Sequence, residues 1–191
     1  MKHNVLLTVM FISVIPAVSV AGTLEGKVSA GNSAVYVDAI SGKTFPAPTK
    51  SIVISQHGLQ FVPHIAVVQQ GTTVDFRNDD SVQHNVFWPS VGGNRKDAHN
   101  MGTWPQGDKR SYKFDHPGVV PLLCNVHSEM SGYIIVSPTP YFAETDAAGN
   151  FRIDNVPDGK YTVVAWHEDS KPEKKPVEVT GTAKVDFTLT K

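Results

Sequence analysis

The stretch CNVHSEM, from Cys124 to Met130, holds the single cysteine of the chain. A histidine and a methionine follow it, His127 and Met130, each after a two-residue gap. A thiolate and a thioether are soft donors that suit Cu(I), whereas an imidazole suits both copper oxidation states. Two imidazoles and a thiolate in a plane, with a weak axial thioether, form a type 1 copper site. The loop supplies three of those donors, so the fourth must come from elsewhere. SVQHNVFW offers it: His84 stands 40 residues before Cys124, with Asn85 directly behind it. Asn85 is placed to hydrogen-bond across to the ligand loop, an outer-sphere role. The backbone N–H groups of Asn125 and Val126 are expected to point at the sulfur.

The elements that must position these residues are strands. SIVISQHGLQFVP, HIAVVQQGTTVDFRN, SVQHNVFW, KRSYKFDHPGVVPLLC and GYIIVS read as strands or strand pairs, punctuated by Gln70-Gly71 and Asn78-Asp79-Asp80. In one of them Val74 and Phe76 alternate with Thr73 and Asp75, the period-2 mark of a half-buried strand. GVVPLLC delivers Cys124, the loop turns over the metal, and GYIIVS leaves as the next strand. A Ser137-Pro138-Thr139-Pro140 link then leads into about fifty residues of short alternating strands with turns at TDAAGN and VPDG. No amphipathic helix is evident. The fold class expected is all-β.

The chain's 191 residues allow one ordinary domain or two small ones. With a net charge of −1, nothing argues for a nucleic-acid or anionic-membrane partner. MKHNVLLTVMFISVIPAVSVAG has a basic start, a short apolar run and small residues at Ser19 and Ala21, so residues 1–21 read as a secretory signal peptide. Export to an oxidising compartment usually brings structural thiols in pairs. A lone Cys124 beside His127 and Met130 therefore reads as a ligand.

QHNV followed by CNVHSEM resembles the amicyanin/plastocyanin-like cupredoxin family, with the short ligand loop seen in amicyanin rather than the longer His-to-Met gap of plastocyanin and pseudoazurin. FVPHIAVVQQGTTVDFRNDD is similar to that family's strands leading to the first histidine. The resemblance covers about residues 50–137. It implies a Greek-key sandwich, one type 1 copper bound by His84, Cys124, His127 and Met130, and transient redox partners such as a cytochrome, a dehydrogenase or an oxidase. Departures from the family pattern are Leu122 and Leu123 before the cysteine, without the usual aromatic, the extra residues 22–50, the extra C-terminal domain, and the insert WPSVGGNRKDAHNMGTWPQGDKRS, which does not divide into recognisable strands. AETDAAGNFRIDNVPDGKYTVVAWH is similar to carboxypeptidase-regulatory-like, transthyretin-like β-sandwiches, usually accessory domains without catalysis. The division expected is a signal peptide 1–21, a copper domain 22–137 and a small antiparallel β-sandwich 138–191.

Two further expectations concern chemistry. His99 and Met101, in KDAHNMG, could hold a second, weaker copper ion. His57, His64, His116 and His167 default to surface or structural roles. The leading function is a periplasmic one-electron carrier, with copper tolerance or delivery as the alternative. A copper enzyme such as an oxidase or nitrite reductase subunit needs further histidines, and neither His-x-His nor His-Cys-His occurs.

Overall fold

The structure, a computed structural model, describes residues 21–191. The segment read as a signal peptide lies outside the described residues except for Ala21. Sixteen strands form four sheets.

The sheets stack as two sandwiches. The first pairs β3 (Ile52–Gln56), β4 (Phe61–Val62), β6 (Thr72–Asn78) and β9 (Lys109–Phe114), in the order β4-β3-β6-β9. Facing it is a five-stranded sheet of β5 (Ile65–Gln69), β7 (His84–Trp88), β8 (His99–Trp104), β10 (Gly118–Leu123) and β11 (Ser131–Ser137), in the order β5-β11-β10-β7-β8. Their shared core includes Ile54, Phe76, Val86, Trp88, Leu122 and Ile134, and reaches Cys124 and Met130. Gly71, with φ of +85°, makes the tight turn from β5 to β6 that Gln70-Gly71 announces.

The second sandwich uses β1 (Ala21–Lys27), β13 (Asn150–Pro157) and β16 (Thr182–Lys184) in one sheet. Its other sheet holds β2 (Ala34–Val37), β12 (Phe142–Glu144), β14 (Gly159–Trp166) and β15 (Glu173–Val179). Leu24, Val35, Phe151, Ile153, Val163 and Phe187 fill it.

The expected division at residue 138 is corrected by these pairings. β1 pairs antiparallel with β13 and parallel with β16, and β2 lies between β12 and β14. The N-terminal strands therefore belong to the second sandwich, and the first sandwich begins only at β3. The Ser-Pro-Thr-Pro link is also no loose tether. Ser137 and Thr139 are fully buried, and the Thr139 hydroxyl donates to Val37 O at 2.8 Å.

The two sandwiches share a third apolar layer. Ile65, Val67 and Ile135 of the five-stranded sheet meet Ala34 and Trp166 of the other sandwich, and the Tyr133 and Trp166 rings lie 5.0 Å apart. β5 thus sends Ala66 and Val68 into the copper core and Ile65 and Val67 into the interface. A sheet covered on both faces needs no polar side. This explains why IAVV and YIIV run apolar without alternation.

The unplaced insert resolves as β8 and β9 with a 3₁₀ turn at Arg95–Asp97. β8 pairs antiparallel with β7, His84 opposite Trp104, and extends the sheet at the edge where His84 sits. Among the described residues no helix is long and apolar enough to cross a membrane.

Candidate metal centre

Two elements meet at one end of the copper sandwich. β7 carries His84 at its first position, and the loop between β10 and β11 carries Cys124, His127 and Met130. Strand pairing brings them together: Leu123, next to Cys124, pairs with Phe87 on β7 and with Ser131 on β11. The loop closes on itself through Met130 N–H donating to His127 O at 3.1 Å.

One ligand atom from each of His84, Cys124 and His127 lies within 4.8 Å of the others. The Nδ1 atoms of His84 and His127 are 3.1 Å apart, and the rings meet at 4.8 Å. Two ring nitrogens this close need a proton, or a cation, between them. Cys124 is a free thiol at 4% exposure, His84 is fully buried, and Met130 is 1% exposed in the core beside Cys124. His127 is half-buried and its neighbour Val126 is 47% exposed, so the loop's crown is the wet side of the site.

The surroundings explain why these side chains hold still. Asn78, fully buried, donates through Nδ2 to Val82 O and Trp104 O and accepts from Asp80 N–H. That fixes the bend leading to His84. Asn85 works on both sides of the site. Its backbone N–H donates to Cys124 Sγ at 3.4 Å, and its Oδ1 accepts from Asn125 N–H at 3.4 Å. Its Nδ2 donates to Asn100 Oδ1 and Gly102 O, both at 2.8 Å. Gln56 Nε2 donates to Asn85 O at 3.2 Å.

Two expectations need correction here. The N–H group on the sulfur is that of Asn85, because the Asn125 N–H is taken by the Asn85 side chain. The His99/Met101 pair does not assemble as a second site. Met101 is packed into the copper-sandwich core, while the His99 ring lies on Trp88 and Tyr112 at 5.3 and 4.9 Å. The bulge in the β7/β8 pairing lets these near neighbours diverge.

Sequence reasoning missed Asp80. Its Oδ2 lies 2.9 Å from His84 Nε2, and its two oxygens accept the N–H groups of Gly58 and Leu59. Burial pushes this carboxyl up, but the two backbone N–H groups and the His84 contact outweigh it and hold it down to about 2. The signal in the sequence is only an acid four residues before the histidine, within a turn where acids are ordinary. The insert's Asn100 and Gly102 were missed likewise.

Residues 48–137 match the family of copper binding proteins, plastocyanin/azurin family, and this match supports copper as the cofactor. Residues 119–186 match polysaccharide lyase family 4, domain II, a match that starts inside β10 and runs through most of the second sandwich. No curated protein matches the chain. Among solved structures, an oxidised mutant of amicyanin is 21% identical over 46% of this chain and 82% of its own, with a TM-score of 0.42. A reduced amicyanin mutant is 21% identical over 48% and 86%, at 0.43. A Cu-containing nitrite reductase from Thermus scotoductus is 22% identical over 54% of this chain and 25% of its own, at 0.44.

Proposed function

We propose that this chain is an exported, periplasmic electron-transfer protein whose copper would be held by His84, Cys124, His127 and Met130. One observation carries the reading: a buried thiol and two imidazole nitrogens converge within 4.8 Å, and the thiol already accepts a backbone N–H. Copper in such a set supplies a one-electron couple. The protein's own part is to keep the donors fixed. Asn85 ties the strand to the loop, the apolar core around Cys124 and Met130 excludes water, and half-buried His127 brings the site's edge to the surface. Four protein donors leave no open position for substrate, which favours a carrier over an enzyme. The exposed crown around Val126, Ser128 and Glu129 suits a small, transient contact with a redox protein such as a cytochrome or a dehydrogenase. Export rests on the N-terminal sequence.

The test is a visible spectrum of the purified protein titrated with Cu(II), beside Cys124→Ala. One equivalent should give an intense thiolate-to-copper band that ascorbate bleaches and the variant lacks. A weak band surviving in the variant would overturn the proposal.

A further inference from the structure

The contact between Asp80 and His84 goes beyond the donor set. His84 faces inward at both ring nitrogens. Nδ1 points to the other donors, and Nε2 meets Asp80 Oδ2 at 2.9 Å. Asp80 is itself fixed, since Gly58 N–H reaches Oδ1 at 2.7 Å and Leu59 N–H reaches Oδ2 at 3.0 Å. The acceptor is an ionised carboxylate with only 14% of its side chain exposed, so the charge is poorly screened by solvent. A carboxylate accepting the far N–H of a metal-bound imidazole fixes the tautomer and raises the basicity of the ligating nitrogen. Greater basicity favours the more highly charged metal ion. The neighbouring Asp79 makes a useful contrast. It carries the same charge one residue away, but it pairs with Arg77 and accepts from Ser55.

We propose that Asp80 is a positioning residue that holds His84 with Nδ1 free for copper and, by its charge on the Nε2 side, stabilises Cu(II) over Cu(I), lowering the potential of the site. This rests on the copper reading above and adds a residue outside the donor set.

Redox potentials of the full-length copper-loaded protein test it, measured for wild type, Asp80→Asn, Asp80→Glu and Asp79→Asn. Asp80→Asn keeps an oxygen that can accept from Nε2–H but removes the charge. Cu(II) affinity should fall about tenfold relative to Cu(I), which for one electron raises the potential by about 59 mV. Asp80→Glu should recover part of that shift, and Asp79→Asn should give less than a third of it. Thermal unfolding of the metal-free forms separates a damaged Gly58–Leu59 turn from an electronic effect. An Asp80→Asn potential equal to wild type, or equal to that of Asp79→Asn, overturns the proposal while leaving the copper reading intact. Absence of the thiolate band in wild type sinks both.

Discussion

The two sandwiches are built alike and differ in what closes their ends. In the second, β13 and β14 are joined by Asp158 alone, and the core is aliphatic and aromatic throughout. In the first, β10 and β11 are joined by seven residues carrying a thiol, an imidazole and a thioether, and the core runs up to the sulfur of Cys124. The same layered architecture carries a minimal hairpin in one sandwich and, in the other, a hairpin long enough to fold back over a strand end with the proposed donors on it. The second sandwich contributes differently, by covering the back of the five-stranded sheet with Ala34 and Trp166. Chemistry thus belongs to one sandwich and support to the other.

The largest expected effects lie within the copper sandwich and differ between its two imidazoles. His84→Gly should lose more than about 100-fold in Cu(II) affinity, beyond the range of outer-sphere changes. Added imidazole should not restore the band, because the hole is sealed from solvent. His127→Gly should lose a similar factor, but millimolar imidazole should restore the band, because that position borders solvent. Equal rescue of both variants would show that the buried side opens readily.

Next is the supporting layer. Trp166 is 7% exposed and lies against Tyr133. Trp166→Ala should cost about 3–4 kcal/mol of unfolding free energy in urea, as large-to-small changes in packed layers do. The copper band should keep its position. A moved band would show that packing behind the sheet reaches the metal and would break the division of labour. Asn85→Ala should cost less, about 1–2 kcal/mol, because Asn100 and Asn125 are exposed and water can take over their bonds. The Asn85 backbone N–H to Cys124 survives that change, so the band should persist while the potential moves.

Local chemistry was legible in the sequence and long-range pairing was not. Cys124, His127 and Met130 announce themselves because one loop carries all three, and His84 could be matched through its Asn85 neighbour. Strands such as Thr72–Asn78 follow from alternation. Alternation says that a strand has an inner face but not which sheet it joins, so β1 and β2 were assigned to the wrong sandwich. Their partners lie more than a hundred residues away. Asp80 was hidden for a similar reason. An acid in an Asn-Asp-Asp turn is unremarkable until a backbone turn from residues 58–59 is seen gripping it.

The smallest effect probes a polar link between the sandwiches that ends beside the ligand loop. His64 Nδ1 lies 3.1 Å from Ser131 O, directly after Met130, and its Nε2 lies 2.9 Å from Glu168 on the second sandwich. The two side chains are 45% and 28% exposed, so the pair is solvated and worth little. Glu168→Gln should lower unfolding free energy by about 0.2–1 kcal/mol, and the difference should shrink between 0.15 and 1 M salt, where the screening length falls from about 8 to about 3 Å. Neither the copper band nor the potential should change, because His64 meets this region at the Ser131 carbonyl, outside the donor set. A potential shift comparable to that of Asp80→Asn would mean that the second sandwich tunes the metal through Ser131, and the division between chemistry and support would fail at its weakest bond.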